Sequence, residues 1–426
     1  MKSLVPSFAG PALFIVRLLF CAGAAAQQPL TWDQVRDRFE ASNPSLRADA
    51  DNVDEMRAEE ITAYLRPNPQ FTGTVDGTQI APNHGVWQPL AGTFVSPNFS
   101  YLHERDHKRE LRLESARQGT HISESQHEDL KRSLEFALRN AFILTLEAKD
   151  VLAFSKADLD YYDHIIQISN DRLKAGDIAQ IDFDRIELQR VQYESEFQTA
   201  LVNLRTAKIQ LLQLLNDRTP VDQFDVTGVF DFSENLQPLD DVRQTALSTR
   251  PDLQAALTTI QQAETNHKLA AANGSTDPTF AAWYTWNAST NNPNATQTLG
   301  VSASIPLRIF DRNQGEKKRT LIDIERSRQA EEATRAQVFS DVDTAYEQVR
   351  SNIELLKPYK AKYNVEALHV RDTISYSYQH GGASLMDFLN AQSDFRQVQL
   401  AYAQLIGAYL TAAAQLNLAV GREVMQ

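Results

Sequence analysis

The feature that most constrains the fold is a very long stretch without proline, from Glu104 to Asn216, whose only glycines are Gly119 and Gly176. Because proline breaks helices, this stretch can form one helix to about Ala175, a turn, and a second helix that runs back. The first helix would contain about 70 residues and span about 105 Å. Helices in globular proteins average about 11–12 residues, so a helix this long needs neighbouring helices along its whole length.

The same arrangement occurs twice in the chain. A glycine, an aspartate six residues later and the next phenylalanine recur at a constant offset of 205: Gly176, Asp182 and Phe183, then Gly381, Asp387 and Phe388. Other positions recur at an offset of 207: Val35, Pro44 and Leu46, then Val242, Pro251 and Leu253. This repetition predicts a duplicated architecture with a first repeat (27–216), a linker (217–240) and a second repeat (241–426). Pro358 interrupts the helical pattern of the second repeat, where we expect a kink.

Each repeat also contains two short segments with the apolar–polar alternation of β-strands, at about 71–78, 95–101, 279–286 and 299–307. Each hairpin has one apolar and one polar face, which in a bilayer means lipid outside and water inside. Four strands alone leave open sheet edges, and lipid does not tolerate them, so the strands must close with those of other copies. Five aromatic residues would suit girdles at the membrane interfaces: Trp87, Tyr101, Trp283, Tyr284 and Trp286.

The N-terminus has the features of a secretory signal peptide, with Lys2, an apolar segment and the run Ala24-Ala25-Ala26. We therefore predict that residues 1–26 are removed. Cys21, the only cysteine, lies in this segment, and its acylation remains open because Phe20 is not the small residue that a lipoprotein signal needs. Removal takes away two cations and no acid, moving the net charge from −13 to −15. Such acidity argues against a nucleic-acid partner and suits a conduit that admits cations.

Several segments resemble the TolC family of outer-membrane efflux channels, and the resemblance covers nearly the whole mature chain. The segments are the two glycine turns, Leu65-Arg66-Pro67-Asn68-Pro69, Arg250-Pro251-Asp252-Leu253, Ile305-Pro306-Leu307, Phe310-Asp311-Arg312-Asn313-Gln314-Gly315 and Leu418-Ala419-Val420-Gly421. With the short chain, the motif FDRNQG after the last strand is most similar to the CzcC-like heavy-metal branch.

The resemblance implies a mainly α-helical, duplicated chain that contributes to a membrane β-barrel. Four strands of each chain would join one barrel of a homotrimer in the outer membrane, and the long helices would form a periplasmic α-helical barrel. It further implies a passive duct, not an enzyme, without cofactor, resident metal or nucleic acid. Its partners would be outer-membrane lipid, a periplasmic adaptor protein and an inner-membrane pump of the RND type, and its substrates heavy-metal cations or drugs.

The glycine turns are the candidate functional site. Three copies each of Asp182 and Asp387 around a threefold axis would make carboxylate rings, a cation-selective periplasmic gate to which Asn390 would also belong. The alternative is that each aspartate caps the helix that follows its turn. A tight turn requires φ > 0 at its glycine. We expect the adaptor to dock on the turns through the following residues: Arg172, Leu173, Gly176, Tyr378, Gly381 and Ser384.

Two other functions remain open. His103-Glu104-Arg105-Asp106-His107 has the spacing of a zinc metalloprotease motif. That motif needs a third ligand folded back onto it, and Glu128 would lie about 31 Å from His107 along a single helix. The second alternative is a periplasmic coiled-coil scaffold without a barrel, which would be soluble without detergent.

Overall fold

The computed structural model describes residues 28–287 and 294–425 of the chain. The predicted signal peptide, with Cys21, lies outside the described residues, as does part of the loop before the last strand. The helices and strands in the described part are α1 (Trp32–Ser42), α2 (Pro44–Tyr64), β1 (Gln70–Asp76), β2 (Phe94–Leu102), α3 (Lys108–Ala175), α4 (Gln180–Leu214), α5 (Leu239–Thr249), α6 (Pro251–Ala272), β3 (Thr279–Trp286), β4 (Gln297–Ser304), α7 (Gln314–Pro358), α8 (Asn364–Gln379) and α9 (Leu385–Val420).

The predicted long helix is α3, which contains 68 residues and therefore extends about 102 Å. It begins at Lys108 rather than at Glu104, because Asp106 and His107 both adopt a left-handed conformation with φ of 56°. These two residues redirect the chain from strand β2 into the helix. The helix ends at Ala175, directly before the left-handed Gly176.

The irregularity expected at Pro358 is a π-helical turn. Helix α7 runs up to Pro358, and Tyr359–Tyr363 then form the π-helical segment that leads into α8. Lys360 in this segment donates to both carboxylate oxygens of Asp231, at 2.9 and 3.1 Å. The proline has no backbone N–H to donate, so the helix changes its hydrogen-bond spacing next to it.

The helices form a layer in which each one packs on its neighbours. Towards the glycine turns, α4 packs on α3, α3 on α9, and α9 on α7 and α8. Towards the sheet, α2 packs on α3, α3 on α6 and α6 on α7. The residues of the 207-residue offset take equivalent places in the two repeats, since Val35, Val242, Leu46 and Leu253 are all buried. The structure therefore confirms the predicted duplicated, mainly helical fold.

Three buried apolar clusters lie along this layer. One joins α1 to α3 and α4 around Phe39 and Phe142. A second joins α5 to α7 and α9. The third cluster lies near the glycine turns and joins the two helical hairpins, α3–α4 and α8–α9, through these residues: Tyr162, Ile165, Ile186, Tyr193, Tyr378 and Phe388.

The four strands form one antiparallel sheet in the order β1-β2-β3-β4, which leaves β1 and β4 at its edges. The pairings Phe71–Phe99 and Ala282–Val301 place most of the apolar strand residues on one face. Nothing in the described part of the chain covers this face: Phe71 is 64% and Val301 76% exposed.

The opposite face of the sheet is mostly polar, but it also carries Phe94, Leu102, Ala281 and Trp283. Trp283 pairs with Asn98 and Gly300, which places its side chain on the polar face and away from Tyr284 and Trp286. A Cβ atom at Gly300 would lie 2.2 Å from the Trp283 ring, so this position requires glycine. The prediction that Trp283 joins an aromatic girdle on the apolar face is therefore wrong.

Strand β4 is shorter than the alternation suggested, because it ends at Ser304 rather than at Leu307. Pro306 follows, and proline cannot donate to a strand pairing. Among the described residues one helix, α9, is long and apolar enough to cross a membrane, but most of its apolar window is buried against other helices. This burial is typical of a core helix.

Candidate functional site

The two glycine turns have the same backbone geometry. Gly176 and Gly381 have φ of 83° and 76°, the left-handed conformation that glycine adopts without a steric penalty. In the first turn Gly176 donates to the Leu173 carbonyl at 3.0 Å. In the second, Gly381 donates to the Tyr378 carbonyl at 3.1 Å, again at an offset of 205. The prediction of a left-handed glycine in each turn is confirmed.

The two turns differ at the start of the following helix. Ser384 caps α9, and its hydroxyl accepts from the Asp387 backbone N–H at 3.1 Å. The Asp387 carboxylate in turn accepts from the Ser384 N–H at 3.2 Å and from its hydroxyl at 2.7 Å. This reciprocal pair is a capping box. Asp387 is therefore the N3 partner of the Ser384 cap, and it remains exposed to solvent.

Asp182 occupies the equivalent position in α4 without that role. The N-cap residue there is Ala179, which has no side-chain oxygen, and no side-chain cap is formed. The closest charged partner of Asp182 is Arg185, at 3.9 Å. Only Asp387 therefore takes part in a helix cap, and the gate role of both aspartates stays a prediction. Asn390 is exposed one helical turn beyond Asp387.

The side chain of Tyr378 is buried, with 5% of its surface exposed. Its ring stacks on Phe388 with 4.9 Å between centroids. The proposal that Tyr378 contributes to an exposed docking surface therefore needs correction, because the ring packs inside the hairpins. Leu173 is half-buried, while Gly176, Gly381 and Ser384 are exposed.

Arg172 joins the two hairpins at their tips. Its guanidinium donates to the Tyr378 carbonyl at 2.9 Å and lies 5.1 Å from the centre of the Tyr378 ring. A second bridge lies about 20 residues away along the helices, where Arg396 donates to both carboxylate oxygens of Glu196 at 2.9 Å. This bridge has no signal in the local sequence, because no local pattern relates residues 200 positions apart.

The metalloprotease motif is a structural junction. The Glu104 carboxylate receives two hydrogen bonds from Arg112, at 2.6 and 2.9 Å, and is not free to act as a base. The buried Lys108 pairs with Asp277 at 2.6 Å and fixes the start of α3 against the second repeat. Within residues 28–287 and 294–425, no group of three potential metal ligands occurs.

Comparison with known proteins agrees with this architecture. Residues 242–422 match the family described as outer membrane efflux protein. The chain is 22% identical over 410 residues to the cobalt-zinc-cadmium resistance protein CzcC of Cupriavidus metallidurans, covering 93% of this chain and 91% of that one.

Solved channel structures share the fold. CusC superposes with a TM-score of 0.75 at 17% identity, over 99% of this chain and all of that one. The Campylobacter jejuni channel CmeC gives a TM-score of 0.75 at 14% identity, over 93% of this chain and 87% of that one. Both of these solved structures are membrane channels. The chain therefore matches the outer membrane efflux protein family over residues 242–422 and shares the fold of these channels over nearly its whole length.

Proposed function

We propose that the chain is the outer-membrane exit duct of a tripartite efflux system. Three copies would close one β-barrel in the outer membrane and one helical barrel in the periplasm. The duct would be passive, and its substrates would arrive from an inner-membrane pump of the RND type through a periplasmic adaptor protein.

One observation carries this proposal: the sheet is incomplete by itself. Its apolar face is uncovered, with Leu299 78% and Phe99 60% exposed, and its edge strands β1 and β4 have unpaired backbone groups on their outer sides. An uncovered apolar face that spans four strands is costly in water, and open sheet edges are costly in lipid. Closure with the strands of other copies satisfies both requirements.

The helical layer has a matching feature at its edge. Helix α4 exposes apolar side chains at intervals of seven residues, Ile181, Leu188, Val202 and Ile209, with Ser195 between them. A seven-residue repeat is the pattern by which one helix packs along another. At the other edge, α8 exposes Val365 and Leu368. We infer that α4 of one copy packs on α8 of the next.

The tips of the hairpins would form the gate and the docking surface. Asp182 and Asp387 would place carboxylates around the closed pore, with Asn390 beside them. Arg172, Leu173, Gly176, Gly381 and Ser384 would meet the adaptor with their exposed or backbone atoms. Asp387 can combine both roles, because its carboxylate is exposed to solvent while it accepts the capping hydrogen bonds.

The substrate is proposed from the relative whose name records cobalt, zinc and cadmium resistance. Divalent metal cations suit an acidic chain with a formal charge of −13. Deleting the gene should sensitise cells to salts of these metals more than to organic drugs, and a plasmid copy should restore growth. Greater sensitivity to drugs would reassign the substrate class.

Disulfide crosslinking tests the assembly. Thr72→Cys in β1 combined with Ser302→Cys in β4 should give a ladder of dimers and trimers in detergent, because these edges would meet between copies. Neighbouring β4 positions on the same face, Thr298 and Ser304, allow for the unknown register. The control is Thr72→Cys with Ala281→Cys in the central strand β3, which should remain monomeric. A mature chain that stays monomeric and soluble without detergent would favour the scaffold instead.

A further inference from the structure

A cavity lined by both polar and apolar side chains lies between the two helical hairpins, away from their tips. It has a volume of about 420 Å³ and is lined by α3, α4 and α9. Asp158 of α3 lies in its wall, and one carboxylate oxygen, Oδ2, is buried without a hydrogen-bond partner. None of the ion pairs within the described residues includes Asp158.

The charged groups around Asp158 are already engaged. On α4 and α9, Glu196 and Arg396 hold each other in the bidentate bridge at 2.9 Å. On α8, Arg371 pairs with Asp372 at 2.7 Å. Tyr193 of α4 also faces the cavity, and its ring stacks on Tyr162 beside Asp158. Arg396 and Arg371 thus each have a carboxylate partner already, and Asp158 is a third carboxylate beside them without a partner of its own.

We propose that Asp158 is a proton-controlled lock between the two hairpins: when protonated it allows α9 to pack against α3 and α4, and when ionised it loosens that packing. This inference rests on the proposed duct, whose opening requires the hairpins to move apart. The lock acts at the bridge formed by Glu196 and Arg396, away from the tip turns.

The direction of the pH dependence follows from burial. Burial raises the pKa of Asp158 from 3.8 to about 6, although Arg371 and Arg396 oppose the shift. In separated hairpins water would solvate the carboxylate and the pKa would return to 3.8. The packed state therefore gains stability as the pH falls from about 6 to about 4. Above pH 6 it carries the full free-energy cost of a buried, ionised carboxylate at Asp158. Acid closes the lock, and neutral pH eases its opening.

Amide hydrogen exchange of the full assembly in detergent tests this lock. Protection of segments 151–162 and 393–404, corrected for the intrinsic exchange rate, should fall between pH 4.5 and 7.5. A difference of about two pKa units limits the fall to about 100-fold. Asp158→Asn should remove the pH step and keep the segments protected at pH 7.5, and Asp158→Ala should also remove it.

The matched control is Asp160→Asn, an exposed carboxylate on the same helix, which should leave the pH step unchanged. A wild-type profile that is flat, or one that loosens in acid, would overturn the lock, as would an unchanged step in Asp158→Asn. Bilayer conductance separates this result from the duct itself. A chain without conductance that keeps the exchange step would refute the duct alone, and a conducting chain without the step would refute the lock alone.

Discussion

The turn at Gly176 and the turn at Gly381 make equivalent backbone hydrogen bonds, yet the side chains around them have diverged. After the second turn, Ser384 caps α9 and Phe388 is completely buried. After the first turn, Ala179 forms no side-chain cap and Phe183 is only partly buried. The duplication has kept the backbone that reverses the chain, while one hairpin is fixed more firmly at its tip than the other.

The largest difference should appear on truncating the two phenylalanines. Phe388→Ala should destabilise the tip by about 3–4 kcal/mol, because it leaves a cavity beside Tyr378 and Tyr162. Phe183→Ala should cost about half as much, since its ring is already partly solvated. Local opening free energies from amide exchange of the tip segments measure both. Equal losses would show that the two tips are equally well packed.

The two glycines should respond alike. A Cβ atom at Gly176 or Gly381 meets no other atom within 4 Å, so only the left-handed backbone opposes a side chain. Gly176→Ala and Gly381→Ala should each destabilise their turn by about 1–2 kcal/mol. Gly315→Ala is the control, because it also has free space but no positive φ. A large difference between the two turns would contradict their backbone equivalence.

Exchanging the caps should make the turns more alike. Ser384→Ala should destabilise the start of α9 by about 1 kcal/mol, because the Asp387 N–H loses its partner. Ala179→Ser should stabilise α4 by about 0.5 kcal/mol, since Asp182 already occupies the position that completes a capping box. Exchange at the first turn of each helix measures the effect. If Ala179→Ser has no effect, the Asp182 carboxylate does not accept from the backbone N–H at position 179.

The smallest effects on stability should come from neutralising the aspartates. Asp182→Asn should cost about 0.3 kcal/mol through the loss of charge near a helix N-terminus. Asp387→Asn should cost about 0.5–1 kcal/mol, because it also weakens the hydrogen bonds that the carboxylate accepts from Ser384. Both should lower cation selectivity in planar bilayers if the carboxylates line the gate, and the double variant should lower it most. Unchanged selectivity in the double variant would remove these residues from the gate.

Local sequence predicts much of the site, including the difference between Asp387 and Asp182. The spacing Ser384-x-x-Asp387 is a capping-box signal, and Ala179-x-x-Asp182 lacks it. The different roles of the two aspartates could therefore have been predicted. The burial of Tyr378 could not, because it depends on contacts with Phe388 and with Arg172 of the other hairpin.

Local chemistry was sufficient for the long helices, the two turns and the alternating strands. Proline-free segments, left-handed glycines and two-residue alternation act within a few neighbouring residues, so they can be recognised along the chain. The Glu196–Arg396 bridge and the desolvated Asp158 depend on packing between α3, α4 and α9. Their chemistry arises because folding brings residues of the two repeats together and excludes water between them, and no linear pattern encodes that proximity.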